Sequence, residues 1–300
     1  MAHEHHHHEV KGKNLIITIL LNAGISLAEL IGGIISGSIA LISDAIHNFS
    51  DVLSLIVSYI AQRLSKKQAS ENSTYGYRRS EIFAAFINAT TLIVLAFYIF
   101  YEAVIRFFEP VEVSADLVIW LAMASIVVNA ISVLMIKSDA EHNMNMKSAY
   151  LHLFGDMMTS IAVLIGGLLM KYFQIFWIDP VFSIIIAIYL LYMSYDIFRS
   201  SLKIMMQFTP KGISINAIVD DVNAIDGIKN IHHIHIWQIN EHEIMLEAHL
   251  ELEDDIRISK FEKILKQTKN VLKGHNINHI TLQPEFSSDC DKGIIGQGDC

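Results

Sequence analysis

Six apolar segments, each long enough to cross a lipid bilayer, are the strongest constraint on how this chain folds. A helix rises 1.5 Å per residue, so about 20 residues span a hydrocarbon core of ~30 Å. The chain is 52% hydrophobic and 18% charged, with a mean hydropathy of +0.40, which excludes an ordinary soluble enzyme. We therefore predict an all-α domain of six transmembrane helices, at about 14–36, 39–63, 81–107, 115–137, 147–172 and 178–206.

The distribution of lysine and arginine predicts the orientation of these spans. Only Arg106 and Lys171 lie in the loops on one side, among acidic residues. Because cytoplasmic loops are enriched in positive charge, and because six spans place both ends together, both termini are predicted to be cytoplasmic. Short loops suit an integral protein of a bacterial plasma membrane. The basic residues of the predicted cytoplasmic side are Lys11, Lys13, Arg63, Lys66, Lys67, Arg78, Arg79, Lys137, Lys147, Arg199, Lys203 and Lys211.

Beyond the sixth span the sequence changes to the pattern of a small soluble domain. Ser214 is a typical N-cap for a first short helix, and Gly274 ends a second, amphipathic one. Alternating apolar residues predict strands around them, so the order is αββαβ, with two helices on one face of a sheet. The predicted divisions are a histidine-rich tail at 1–13, a transmembrane domain at 14–208, a soluble domain at 209–286 and a flexible tail at 287–300. The predicted strands are 228–239, 243–253 and 276–283, and the second helix is 256–273.

Two matching pairs of histidine and aspartate occur inside apolar spans. His47 and Asp51 are four residues apart in the second span, and His152 and Asp156 repeat that spacing in the fifth. Four residues are about one helical turn, so each pair lies on one helix face. Ionisable groups at membrane depth are costly and indicate a functional site, and two nitrogen and two oxygen ligands suit Zn²⁺, or Cd²⁺ and Co²⁺ in the same cage.

Other readings of these residues remain open. The four side chains could each bond to a neighbour and serve packing alone. They could also activate water in a membrane-embedded zinc hydrolase, although Asp44 is the only spare carboxylate near them, or they could line a passive metal channel. Asp44 and Asn48 lie close to His47 in sequence and are candidates for cavity lining or for a proton relay. Buried polar residues elsewhere in the spans, such as Glu29, are predicted to be interhelical hydrogen-bonding groups or cavity walls rather than ligands.

The chain termini carry further candidate metal ligands. The histidines before residue 9 could collect metal ions, although an affinity-tag remnant would look similar. Cys290 and Cys300 lie in a polar tail, which argues against a disulfide framework and leaves a cytosolic thiol or a thiolate ligand open. A net charge of −9 makes nucleic acid an unsuitable partner.

The order and spacing of the motifs resemble the cation diffusion facilitator family, in its zinc-exporting, cobalt-zinc-cadmium resistance-like branch. The resemblance covers about residues 14 to 285. It implies a homodimer of six-helix protomers with ferredoxin-like cytoplasmic domains. It implies a secondary antiporter that exchanges cytoplasmic Zn²⁺ for protons, with the two histidine–aspartate pairs as the transport site. The matching motifs are Gly37-Ser38, Ser43-Asp44-Ala45-Ile46-His47-Asn48-Phe49-Ser50-Asp51, Tyr75-Gly76-Tyr77-Arg78-Arg79-Ser80-Glu81, His152-Leu153-Phe154-Gly155-Asp156 and His232-His233-Ile234-His235-Ile236-Trp237.

The same resemblance implies a second, regulatory zinc site in the soluble domain. Its candidate ligands are His232, His249, His279, Glu285 and Cys290. The alternative is a sheet surface with solvated histidines. Strict period-2 alternation would put His233 and His235 on one face and His232 on the other.

One departure from the family removes a possible third site. Some members bind metal in the loop between the second and third helices, where this chain has Tyr75, Tyr77 and Arg79. We therefore expect no metal site in that loop.

Overall fold

A computed structural model describes residues 12–140, 144–240, 243–287 and 292–295. It contains six helices long and apolar enough to cross a membrane, which confirms the predicted all-α part of the fold. Their ends differ from the predicted segments by a few residues at most. The helices are α1 (Gly12–Ser36), α2 (Ile39–Ser65), α3 (Ser80–Phe108), α4 (Ala115–Ala140), α5 (Met144–Phe173) and α6 (Ile178–Met205).

The outer surfaces of these helices are apolar, whereas polar side chains lie inside. Large side chains such as Tyr98, Trp120 and Leu134 are well exposed, as expected for residues that contact lipid. The interior combines small apolar residues, such as Ala96 and Ala187, with buried serines, asparagines and carboxylates. The six helices therefore have the inverse of a soluble protein's polarity in their membrane segments.

The start of α2 is fixed by a residue of α6. Gly37 adopts a positive φ of 76° in the short turn after α1. The Asp179 carboxylate then accepts hydrogen bonds from the backbone N–H groups of Ile39, at 2.8 Å, and Ala40, at 3.4 Å, and from the Ser38 hydroxyl. These N–H groups have no partner within the helix, so Asp179 caps α2 from a distant part of the chain.

The soluble domain has the predicted αββαβ order. Its helices are α7 (Ile215–Asn223) and α8 (Ile258–Gly274), and its strands are β1 (Ile228–Gln238), β2 (Ile244–Leu252) and β3 (His279–Glu285). Strand β2 is central, antiparallel to β1 and parallel to β3. Ser214 caps α7 as predicted, its hydroxyl accepting a hydrogen bond from the Ala217 N–H at 3.3 Å. Isoleucines and leucines from both helices and all three strands form the core.

Two details of the sheet differ from the sequence predictions. Strand β3 begins and ends later than expected, so Glu285 is its last residue. Strand β1 contains a bulge: His232 pairs with His249, but His235 pairs with Glu247, and His233 between them has a φ of 51°. The extra residue resets the alternation. The prediction that His233 and His235 share a face opposite to His232 is therefore wrong, because His232 and His235 share a face and His233 is the bulged residue.

Contacts between Cα atoms divide the chain into two compact units. One contains residues 1–60 and 87–198, and the other contains 61–86 and 199–300. The connection between α2 and α3 thus belongs to the same unit as the soluble domain, and Arg78 in that connection bonds to Glu243 at 2.6 Å. The predicted domain boundaries at 13, 208 and 286 stay predictions.

The close packing of α1 on α2 generates a stability prediction. A Cβ atom added at Gly33 would lie 2.6 Å from the Ile42 Cγ1 atom and 3.0 Å from the Ile42 backbone N, whereas one added at Gly24 would meet nothing within 4 Å. We expect Gly33→Ala to destabilise the protein by about 1–3 kcal/mol relative to Gly24→Ala, because the two helices must separate. Thermal unfolding of the purified variants in detergent measures the difference. Equal melting temperatures would contradict the tight hairpin.

Candidate metal sites

His47 lies between two carboxylates inside the helical bundle. Its Nδ1 atom is 3.6 Å from Oδ2 of Asp51, and its Nε2 atom is 3.6 Å from Oδ1 of Asp156. The candidate ligand atoms of these three residues all lie within 4.8 Å of one another, a spacing that suits a single metal ion. His47 is 9% exposed and Asp156 is 4% exposed. The bundle thus holds a compact, largely buried group of metal-ligand type.

Helices α2 and α5 bring these residues together. His47 and Asp51 are one turn apart on α2, and Asp156 comes from α5. His152, the fourth predicted ligand, lies one turn before Asp156 on α5, but its side chain is outside the described set. The ring of Tyr189 from α6 contacts the His47 ring edge to face, with 6.2 Å between ring centroids. Three of the four predicted transport ligands are therefore seen to converge.

Asp44 connects the two ligand-bearing helices. Its carboxylate accepts hydrogen bonds from the Thr159 hydroxyl at 2.8 Å and the Ser160 hydroxyl at 3.2 Å, both on α5. Asp44 is 1% exposed and lies outside the three-residue cluster. Asn48 is also buried, beside His47 in sequence. The geometry favours Asp44 as a residue that positions α2 against α5 rather than as a metal ligand.

The soluble domain contains a second group of the same chemical type. His232, His249 and Glu285 place their ligand atoms within 4.8 Å of one another. The His249 Nδ1 atom is 2.7 Å from Oε1 of Glu285, and the His232 Nε2 atom is 3.3 Å from Oε2. Neither contact has hydrogen-bond geometry, so the lone pairs of these atoms are not consumed by one another. Such a set fits a divalent metal.

Burial affects the protonation of His232 in this second group. The His232 side chain is fully buried, and burial lowers its pKa, against the opposing effect of the Glu285 carboxylate. A neutral imidazole keeps the lone pair that a metal needs. The second cluster is therefore suited to accept a cation near neutral pH.

The other predicted ligands of the soluble domain either lie apart from this cluster or are not among the described residues. His279 begins β3, opposite Met245, whereas Glu285 ends that strand, so about 20 Å separate them at the usual rise of a strand. Within the protomer, the structure does not bring His279 to the cluster. Cys290 lies outside the described residues. The His233 ring stacks on that of His249, with centroids 4.6 Å apart, so it borders the cluster.

A short segment after β3 also reaches the neighbourhood of the second cluster. The backbone N–H groups of His233 and Ile234 donate to the carbonyls of Gly293, at 3.1 Å, and Ile294, at 2.9 Å. Lys292 contacts Glu251 at 2.5 Å, and Lys229 does so at 2.9 Å. These lysines lower the pKa of the nearly buried Glu251, the Lys292 hydrogen bond contributing most. Residues 293 and 294 therefore lie against β1 at its bulge.

Several residues that support the intramembrane cluster were not predicted from the sequence. Thr159 and Ser160 follow Asp156 by three and four residues, and this spacing could have indicated that they share its helix face. Asp179 of α6 also supports the cluster, because it caps the helix that carries His47. No local signal links Asp179 to α2, because the contact joins residues 140 positions apart.

The fold and its sites define an integral membrane protein with an intramembrane polar cluster and a small α+β domain. Comparison with known proteins identifies the family. Residues 15–206 match the cation efflux transmembrane domain, and residues 210–287 match the cation efflux protein cytoplasmic domain. The chain belongs to the cation efflux family, also called the cation diffusion facilitators.

Several relatives align over nearly their whole length. The chain is 37% identical over 297 residues to the cadmium, cobalt and zinc/H(+)-K(+) antiporter of Bacillus subtilis, covering 98% of this chain and 96% of that protein. It is 32% identical to the zinc transporter ZitB of Pectobacterium atrosepticum, with 97% and 91% covered. It is 29% identical to the metal cation efflux system protein CzcD of Cupriavidus metallidurans, with 99% and 93% covered. These relatives are transporters, so a catalytic role is not the family's activity.

The hydrogen bonds of Asp44 generate a prediction. We expect Asp44→Ala to weaken zinc binding at the intramembrane cluster by about 10-fold or more, because groups that orient metal ligands typically contribute this much. Zinc titration of the purified protein in detergent measures it. Ser43→Ala is the matched control, since the Ser43 hydroxyl donates to the Ile39 carbonyl of its own helix at 2.7 Å. Unchanged affinity in Asp44→Ala would show that Asp44 has no positioning role.

Proposed function

We propose that this protein exports Zn²⁺, and also Cd²⁺ or Co²⁺, from the cytoplasm in exchange for protons. The observation that carries the proposal is the buried group formed by His47, Asp51 and Asp156 at the meeting of two membrane helices. His152, one turn before Asp156 in the sequence, is the proposed fourth ligand, which would give a tetrahedral set of two nitrogens and two oxygens. The names of the related transporters support these metals and antiport.

The mechanism follows from the chemistry of the ligands. Zn²⁺ binds neutral imidazoles and ionised carboxylates when the site is open to the cytoplasm. After the helices rearrange, protons from the other side compete for the same groups, and a proton on His47 removes a lone pair and adds repulsion. One set of side chains thus binds the metal and responds to the proton gradient. The proposed orientation has both termini in the cytoplasm of a bacterial plasma membrane.

The soluble domain is proposed to sense cytoplasmic zinc and to hold two protomers together. His232, His249 and Glu285 supply three ligands on one surface of the sheet, and Cys290, five residues after Glu285, is the proposed fourth. The proposed site does not include His279, which lies at the other end of β3. Zinc on this domain would favour the transport-competent homodimer. The match to the family's cytoplasmic domain supports the homodimer.

Removing a transport ligand tests the main proposal. We expect His47→Ala or Asp51→Ala to reduce zinc accumulation in inverted membrane vesicles to background, because three remaining ligands cannot compensate the cost of desolvating the ion. Vesicle uptake of zinc, normalised to the amount of protein, measures this. His275→Ala is the matched control, since His275 bonds to Asp221 in the soluble domain. Wild-type uptake in the His47 and Asp51 variants would reject the assignment.

The dependence on a pH gradient separates the competing functions. In proteoliposomes, an antiporter moves zinc faster when protons flow down the imposed gradient in the direction opposite to zinc. A passive channel gives zinc flux that ignores the pH gradient, and a membrane-embedded hydrolase gives no flux at all.

The sensing role has its own prediction. We expect the double variant His249→Ala, Cys290→Ala to need a higher cytoplasmic zinc concentration for half-maximal transport, because zinc no longer favours the active dimer. Transport measured across a range of zinc concentrations gives the shift. His279→Ala serves as the control, since His279 lies at the other end of β3. An unchanged zinc dependence of the double variant would contradict the sensing role.

A further inference from the structure

A row of polar side chains lies between α1 and α4, apart from the candidate metal ligands. On each helix the polar residues are three, four or seven positions apart, so each set lies on one face. Most of them are at most 3% exposed. We call this row the polar seam; its members are Thr18, Asn22, Ser26 and Glu29 on α1, and Ser125, Asn129 and Ser132 on α4.

Two contacts show that these faces meet in antiparallel register. A Cβ atom at Gly32 of α1 would overlap Leu121 of α4, and the Glu29 carboxyl lies beside the Ser125 hydroxyl. Asn22 lies seven residues before Glu29 on α1, and Ser132 lies seven residues after Ser125 on α4, which is about two helical turns in each case. Because the helices are antiparallel, Asn22 and Ser132 lie at the same depth. The polar seam therefore extends from near the start of α1 to the depth of Glu29.

The polar seam contains buried atoms that make no hydrogen bond to the described part of the chain. The fully buried Glu29 carboxyl lies within hydrogen-bonding range of the Ser125 and Asn48 side chains, although neither contact has good hydrogen-bond geometry. A buried polar group without a partner costs several kcal/mol in hydrocarbon, so such groups in native proteins require an explanation. The other atoms are Thr18 Oγ1, Asn22 Oδ1, Asn129 Nδ2 and Ser132 Oγ. Water, which donates and accepts, can satisfy all of them.

A chain of hydroxyl groups links the polar seam to the transport site. The Ser125 and Ser160 Oγ atoms are 3.0 Å apart, and Ser160 donates to Asp44 at 3.2 Å. Asp44 lies three residues before His47. The titratable groups that act on Glu29 are Asp44 from α2 and, more weakly, Asp156 from α5, whereas α4 contributes the Ser125 hydroxyl. Ionisable groups placed in this way inside a membrane bundle mark ion pathways and proton relays.

We propose that the polar seam is a hydrated proton pathway in which Glu29 is the proton-carrying group. A proton arriving through the Ser160 and Ser125 hydroxyls binds the Glu29 carboxylate. The resulting carboxylic acid gives its proton to water in the seam, which passes it toward the start of α1, and Glu29 returns to the carboxylate. Protons thereby leave the transport site by a route separate from the metal's. This inference rests on the proposed exchange of zinc for protons.

The test compares Glu29→Gln with the wild-type protein. Glutamine keeps the shape of glutamate but carries no exchangeable acid. Full-length protein is reconstituted in liposomes with a pH-sensitive dye and a zinc indicator, and zinc affinity is measured separately in detergent. We expect an unchanged zinc affinity, with zinc-coupled proton flux slower by about 100-fold, the typical contribution of a positioned proton-transfer group. Ser183→Ala is the control, since this buried hydroxyl already bonds to the Asp179 carbonyl at 2.8 Å.

Other outcomes distinguish a failure of this inference from a failure of the proposed antiport. Normal proton flux in Glu29→Gln would overturn the inference, and so would a loss of zinc affinity, which would place Glu29 in the metal site. Zinc flux that follows a potassium gradient and ignores pH would also overturn it. A wild-type protein without proton movement would instead refute the proposed antiport.

A second variant keeps the test valid if Glu29→Gln does not fold. The double substitution Thr18→Val, Asn22→Leu removes polar atoms from the start of the polar seam with little change in volume. We expect it to slow proton flux without changing zinc affinity. Proton flux at the wild-type rate in this variant would overturn the inference.

Discussion

The cost of placing polar groups in hydrocarbon governs the organisation of this protein. Apolar side chains cover the outside of the six helices, so charged and polar side chains can be satisfied only in the interior. There they converge: His47 lies 3.6 Å from each of two carboxylates, and Asp44 bonds to hydroxyls of α5. Each costly group is accommodated only because others lie next to it. The same constraint that would exclude such residues from a simple membrane helix gathers them into one site.

Helix α2 carries most of this arrangement, and contacts from other helices fix it at two levels. Asp179 of α6 caps its first turn, and Asp44 joins its second turn to Thr159 and Ser160 of α5. His47 and Asp51 follow within two further turns. A rearrangement of α2 against α5 would move ligands on both sides of the cluster at once. The helix is therefore well placed to couple metal binding to a change of access.

In the soluble domain, strand pairing brings the candidate ligands together. The bulge in β1 leaves His232 paired with His249, and the parallel strand β3 adds Glu285 at its end. Three candidate ligands, one from each strand, thus meet on the face of the sheet away from its core. Burial lowers the pKa of His232, which favours its neutral form. The second group thus lies on a sheet, whereas the first lies between helices.

The sequence by itself determined the elements: six spans, the αββαβ order, the Ser214 cap and the His-x-x-x-Asp spacings depend on local periodicity, which each segment carries alone. It also indicated that His47, Asp51 and Asp156 belong together, because buried charges need partners.

The tertiary structure alone decided the rest. The Asp179 cap joins residues 140 positions apart. The β1 bulge shifts the histidines between faces, and the separation of His279 from Glu285 depends on strand register. The polar seam needs two helix faces in contact, and such pairings follow from packing between distant segments, which no local pattern records.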